Sequence, residues 1–245
     1  MAVYIGTSGW SYEHWQGVLY PHGTPRWKRL SYYVREFQTV ELNSSFYRWP
    51  AVSAFKSWQQ RLPEGFLLSV KMPRHLTHTK RLFEPERWLE RIKICWHELG
   101  AKRAVLLVQL SPKFEFDYER LHYFLSLIPP WMHLAIEFRH PSWHQESVFQ
   151  LLEEYGVAYC VMSGAGLPCV LRATAPFVYV RLHGPDNQHL YGGRYPEEGL
   201  QWWANRIREW EGQGKDVYAY LNNDGEGHAV YNAARLRALL SNAHL

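Results

Sequence analysis

Seven polar side chains stand where short β-rich runs end: Glu41, Lys71, Gln109, Glu137, Arg139, Arg181 and His183. Carboxylates, cations and an imidazole are the groups of proton transfer and of charge stabilisation. A strand alternates its side chains between two faces, so parity decides which residues keep company. In Leu134-Ala135-Ile136-Glu137-Phe138-Arg139 the apolar residues share one face, and Glu137 and Arg139 share the other. The same split separates Val40 and Leu42 from Glu41 and Asn43, and Val178, Val180 and Leu182 from Arg181 and His183. Charges at the ends of successive strands, all on one parity, describe a site.

Lys71, Arg139 and Arg181 outnumber the two carboxylates, and His183 can add further positive charge. That surplus favours a phosphate or carboxylate ligand. Glu41 and Glu137 can act as base and acid, and the same residues can equally form a buried ion-pair network with the three cations. A glycosidase needs two carboxylates about 5 to 9.5 Å apart around one bond, and the crowd of cations disfavours it. Lys71 can act as a Schiff-base nucleophile if held neutral, or as an anion clamp. No cofactor is expected. Glu41, Glu137 and His183 can supply ligands to a divalent metal, but neighbouring cations oppose one, and no HExxH spacing occurs.

The loops after these strands add weaker candidates. His75 and His78 lie three apart beyond Lys71, suited to phosphate contact or proton shuttling, although loop histidines often do neither. Gly6-Thr7-Ser8-Gly9 can cradle an oxyanion or simply turn the chain. Asn222 and Asn223 can hydrogen-bond a ligand or shape a turn. The stretch Asn187–Gly199, with Tyr191-Gly192-Gly193-Arg194-Tyr195, reads as a lid with a glycine hinge. Trp10, Trp15, Phe46, Tyr47, Trp143 and Tyr191 offer rings on which bases can stack, or pack loop against loop.

These positions are carried by eight runs with strand character: Val3–Gly6, Thr39–Asn43, Phe66–Lys71, Ala104–Leu110, Leu134–Arg139, Val157–Met162, Phe177–His183 and Val217–Asn222. Most gaps carry a helical stripe. Val52, Phe55 and Trp58 follow Pro50, and Trp88, Leu89, Ile92 and Trp96 stop at Gly100. Asp117 can cap a helix carrying Leu121, Phe124 and Ile128, and Val148, Leu151, Leu152 and Tyr155 end at Gly156. Further stripes run through Leu200, Trp203, Ile207 and Trp210, and from Val230 to Leu240. The gap Ser163–Pro176 is too short and proline-rich for a good helix. The pattern predicts one α/β domain over residues 1–245, a single (β/α)8 TIM barrel with an irregular sixth unit. An open doubly wound sheet is the alternative. In such barrels the site lies at the C-terminal ends of the strands.

The chain has 245 residues, 47% hydrophobic and 20% charged, which suits a globular domain with a large core. Its formal charge is +4 with the basic residues scattered, a weak bias toward anionic partners. Three cysteines without CxxC spacing argue against a disulfide framework and fit a reducing cytosol. No run is long and apolar enough to span a bilayer, so a cytoplasmic protein without membrane partners is expected. Oligomeric state stays open.

Several segments together resemble the YecE-like proteins, number 72 among the domains of unknown function. They are Gly6-Thr7-Ser8-Gly9-Trp10, Val40-Glu41-Leu42-Asn43-Ser44-Ser45-Phe46-Tyr47, Ser69-Val70-Lys71, Leu76-Thr77-His78, Ala135-Ile136-Glu137-Phe138-Arg139-His140, Val180-Arg181-Leu182-His183-Gly184 and Leu221-Asn222-Asn223. The resemblance covers nearly the whole chain and implies a TIM barrel, likened by fold to endonuclease IV and xylose isomerase-type barrels. It implies little about activity. At Met162-Ser163, where many relatives carry an acidic residue, the chain departs from the pattern, which puts a metal or acid–base role there in doubt.

The expectation is a TIM-barrel enzyme, a hydrolase or a lyase or isomerase, acting on a phosphate-bearing ligand such as a nucleotide or nucleic-acid fragment. Glu41, Glu137, Lys71 and His183 are the catalytic candidates. Arg139, Arg181, Gln109, Asn43, His78, His140, Tyr191, Asn222, Asn223 and Trp10 are the ligand-binding ones. A non-catalytic binder of single-stranded nucleic acid, and a carbonyl or sugar acid–base enzyme, are the alternatives.

Overall fold

The computed structural model describes residues 1–241. Eight strands follow one another: β1 (Val3–Thr7), β2 (Thr39–Leu42), β3 (Leu67–Lys71), β4 (Arg103–Gln109), β5 (Leu134–Glu137), β6 (Ala158–Ser163), β7 (Phe177–Leu182) and β8 (Asp216–Leu221). They form an eight-stranded sheet of order β1-β8-β7-β6-β5-β4-β3-β2. The registered pairings are parallel: β1 with β8, β7 with β8, β3 with β4, β4 with β5 and β5 with β6. With helices between the strands this is an α/β, TIM-barrel-like fold, as the alternation predicts. Parallel strands covered on both faces become continuous apolar runs. Accordingly Ala104 to Val108 of β4 are all buried.

Seven α-helices are described: α1 (Arg26–Glu36), α2 (Val52–Arg61), α3 (Glu86–His97), α4 (Tyr118–Ser126), α5 (Glu146–Glu154), α6 (Glu197–Gly212) and α7 (His228–Ser241). Asp117 caps α4 as expected, its carboxylate accepting from the Arg120 amide at 3.0 Å. Residues 164–176 contain no helix, in line with the irregular sixth unit. Helix α1 was not anticipated. It has no capping side chain and buries only Arg29, Leu30 and Tyr33, so its stripe is narrow.

The chain gathers into two compact units. One comprises residues 1–41, 161–171 and those from 176 onward; the other comprises 42–160 and 172–175. In the first, Gly6 lets β1 approach β2, since a Cβ there would run into the Thr39 carbonyl. Also in the first, Trp15 is fully buried, with the Tyr12 ring centroid at 4.8 Å and that of Tyr20 at 6.2 Å. In the second, Trp143 is equally buried, its indole N–H donating to the Phe114 carbonyl and its ring stacked on Phe138 at 5.0 Å. Both indoles are therefore core, which corrects their reading as stacking platforms. No helix among the described residues is long and apolar enough to cross a membrane.

Candidate functional site

Strand parity places charge at the C-terminal ends of the strands in each unit. In the first unit, Glu41 and Arg181 are fully buried and ion-paired, Arg181 Nη2 lying 2.8 Å from Glu41 Oε1. Ser8 Oγ donates to the same oxygen at 2.6 Å, and the Tyr179 hydroxyl donates to Oε2 at 2.7 Å. Burial would raise the Glu41 carboxyl, but the Arg181 charge and the hydrogen bonds from Ser8, Tyr179 and Arg181 outweigh it and hold the group below the usual carboxylate range. Burial and the adjacent Glu41 charge push the Tyr179 phenol well up. Tyr12 closes the cluster by donating to the Ser8 carbonyl at 2.6 Å.

His183 is also fully buried, its Nδ1 meeting Asn222 Nδ2 at 3.0 Å. An amide N–H at that nitrogen makes it the acceptor, so the neutral ring carries its proton on Nε2. The Tyr191 ring meets it edge-on at 5.3 Å and is 40% exposed. Asn223 is structural on two sides, donating to the Gly193 carbonyl at 2.9 Å and to Asn232 Oδ1 at 3.0 Å. Trp10 is half-buried, and its carbonyl accepts from the Tyr20 hydroxyl.

The expected hinged lid is partly corrected. Gly199 belongs to α6, and Tyr195 is buried, its hydroxyl 2.8 Å from Ser163 Oγ and accepting from the Gly184 amide at 3.1 Å. Asn232 Oδ1 accepts from the Tyr195 amide at 3.0 Å. The C-terminal half of the loop is thus pinned by buried amides and a phenol.

The second unit holds a different cluster. Lys71, 7% exposed at the end of β3, sets its ammonium 4.1 Å from the centroid of the Phe46 ring. Glu137, buried at the end of β5, accepts from Arg139 Nε, and the Cys160 thiol lies 3.8 Å from its other oxygen. Gln109 is registered beside Glu137 on β4 and is also 7% exposed. His78 is half-buried, its ring edge-on to Phe46 at 4.9 Å and its Nδ1 3.0 Å from Thr77 Oγ1. Burial, then the positive charges of Lys71, Arg74 and Arg139, push its imidazole down to about 4.

His140 begins a short 3-10 turn, its Nδ1 2.8 Å from Ser142 Oγ. Asn43 is half-buried, and its Oδ1 has no hydrogen-bond partner among the described residues. His75, exposed, accepts from Trp88 Nε1 at 2.9 Å. It lies with His78 on a π-helical turn, His75–Thr79, a form that recurs at functional sites.

The candidates thus divide between a network centred on the Glu41 carboxylate, Ser8–Glu41–Tyr179–Arg181, and a cation-rich one in which Lys71, Arg74, Arg139 and Glu137 act on His78. Among the described residues no group of three or more His, Cys, Asp or Glu is arranged to hold a metal ion.

Comparison with known proteins meets this geometry at the level of family. A model described as a protein of unknown function, DUF72, matches residues 4–245. The chain belongs to the DUF72 family. A curated relative, the UPF0759 protein YunF of Bacillus subtilis (strain 168), is 29% identical over 97% of this chain and 94% of its own length. The UPF0759 protein YecE of Escherichia coli O157:H7 is 24% identical over 90% of this chain and 86% of its own. Among solved structures, a DUF72 family protein from Thermotoga maritima MSB8 superposes with a TM-score of 0.87 at 29% identity. It covers 98% of this chain and 100% of its own. This chain and the Thermotoga protein therefore share one fold.

Sequence reasoning did not single out Tyr179, Arg74 or Cys160. Tyr179 shares parity with Arg181 and was findable on that basis. Ser8, which the sequence offers as part of an oxyanion cradle or of a turn, gives its hydroxyl to Glu41. Phe46, offered as a stacking ring or as packing, carries the Lys71 ammonium on its face. Cys160 carried no signal beyond a lone cysteine in an apolar strand.

Proposed function

We propose that the end of β3, β4 and β5 binds a phosphate-bearing ligand, a nucleotide or nucleic-acid fragment, and acts on it enzymatically. The observation that carries the reading is the cation-rich surroundings of His78: Lys71, 7% exposed, stands beside it on the Phe46 ring, and after burial the positive charges of Lys71, Arg74 and Arg139 are what push the half-buried imidazole down to about 4. The share of that shift that comes from the three cations marks a positive local potential, which attracts an anion. Lys71, Arg139 and Gln109 hold the anionic group, and Glu137 is the carboxylate that takes a proton. The attraction of an ammonium to the Phe46 face favours Lys71 as a clamp over a neutral amine nucleophile. Glu41, buried and accepting from Ser8, Tyr179 and Arg181, organises its own unit.

Thermal unfolding with added phosphate or nucleotide tests this, because a ligand of the folded state raises its melting point. Arg139→Ala abolishes the protection and Lys71→Arg keeps much of it. Glu137→Gln keeps binding and removes turnover. Equal protection in the wild type and Arg139→Ala would place the anion elsewhere.

A further inference from the structure

The second unit also carries a cavity of about 630 Å³ lined by His75, Lys80, Glu84, Glu86, Arg87, Trp88 and Arg91. That size lies within the ~300–1,000 Å³ usual for small-molecule sites. Two guanidiniums, Arg87 and Arg91, stand one turn apart on α3, and no carboxylate of the described residues pairs with either. Like charges at that spacing oppose the helix slightly, and an anion between them relieves the repulsion. The carboxylates beside them are occupied: Glu84 lies 3.5 Å from Lys80, and Glu86 accepts from the Tyr123 hydroxyl. Trp88 Nε1 donates to His75 Nδ1, which leaves a neutral His75 carrying its proton on Nε2 as one more donor. The Arg91 guanidinium lies 5.3 Å from the Trp88 ring centroid, tying the cations to the indole.

The segment that carries the lining residues Lys80 and Glu84 has strained backbone. Arg81, Leu82 and Glu84 all adopt left-handed φ values of 48°, 62° and 45°. Such a conformation is unfavourable for a residue that carries a side chain. Buried Leu82 and the bonds Lys80 N–H to His75 carbonyl (2.8 Å), Leu82 N–H to Leu76 carbonyl (3.0 Å) and Phe83 N–H to Lys80 carbonyl (2.9 Å) hold the segment in place. Strain of this kind, over-determined by its surroundings, gathers at ligand clamps.

We propose that this groove is a second anion site, distinct from the Lys71–Arg139 cluster, which grips a phosphoryl group by Arg87 and Arg91 with Lys80 and His75 as further donors. The paired planar guanidiniums match the tetrahedral oxygens of a phosphate, and Trp88 reports the event through its indole N–H.

The test is titration of the full chain with inorganic phosphate, pyrophosphate, a nucleoside monophosphate and the parent nucleoside, following the Trp88 indole N–H resonance assigned with Trp88→Phe. All three phosphorylated compounds shift the resonance and the nucleoside does not. A stronger response to the monophosphate than to inorganic phosphate means that the natural source is a nucleotide. Arg87→Ala/Arg91→Ala weakens the response at least about tenfold, Arg87→Lys/Arg91→Lys restores part of it, and Arg139→Ala leaves it unchanged. Unaltered affinity in the double alanine variant, a nucleoside response equal to that of its monophosphate, or no response at millimolar phosphate would overturn the assignment. Both arginines are exposed, and a melting point within a few degrees of wild type certifies that each variant is folded.

Discussion

A carboxylate that already accepts from Ser8, Tyr179 and Arg181 has little left to offer a substrate, so Glu41 is held for its charge rather than for proton traffic. Removing one partner of such a buried pair strands the other, which typically costs about 3–5 kcal/mol. Arg181→Ala should lose stability of that order in urea unfolding, whereas Glu41→Gln/Arg181→Met should recover most of it. A loss under about 1 kcal/mol in Arg181→Ala would mean that the pair is solvated. His78 makes the complementary case. Its imidazole titrates at about 4, against 6.5 for the unperturbed group. Between those values the unfolded chain binds a proton that the folded chain refuses, so this contribution is full above 6.5 and falls as pH drops toward 4. His78→Gln should flatten that decline in urea midpoints, and bound phosphate should move the wild-type His78 titration upward. Parallel decline in both proteins through this window would remove His78 from the balance. The sequence showed that Glu41, Arg181, Glu137 and Arg139 share a parity. It was silent on which carboxylate is saturated, because Ser8 and Tyr179 reach Glu41 from other strands.

At the scale of elements, short runs rich in β-branched and other apolar residues located all eight strands to within about two residues, since a buried parallel strand leaves few other uses for such runs. Caps and stripes found the helices that have them. Asp117 shows how literal the signal is: Asp117→Ala should cost about 1 kcal/mol, the usual worth of an N-cap bond, read as a lowered melting point. An unchanged melting point would mean that the Arg120 amide finds another acceptor. Helix α1, with Pro25 rather than a capping side chain before it, offered no start signal of that kind. The loop before α6 was misjudged for a similar reason. Its glycines suggested a hinge, but Gly184, at φ 105°, is required because a Cβ would strike the Gly192 carbonyl. Gly184→Ala should therefore disturb the Tyr191–His183 contact and destabilise the protein by a few kcal/mol. A wild-type melting point in that variant would show the loop to be loosely held after all.

At the scale of the whole molecule, 27 basic and 23 acidic residues leave a formal charge of +4 spread along the chain, and that balance separates a local anion site from a nucleic-acid track. A protein that follows a single strand neutralises many phosphates and stacks successive bases on exposed rings. Here Trp15 and Trp143 are buried, while Tyr47, 80% exposed, and Tyr191, 40% exposed, remain as candidate platforms in different units. Binding dominated by Lys71 and Arg139 engages two or three phosphates. At about −0.7 per phosphate on single strands, log K for an oligonucleotide should fall with log salt at a slope of about −1.4 to −2.1. Tyr47→Ala should leave that slope and affinity nearly unchanged, and Arg139→Ala should reduce the steepness by about one phosphate's worth. A slope of about −5 or steeper, lost together with affinity on removing Tyr47 or Tyr191, would instead establish an extended binding track. The phosphate-centred reading would then give way to that of a strand-binding protein.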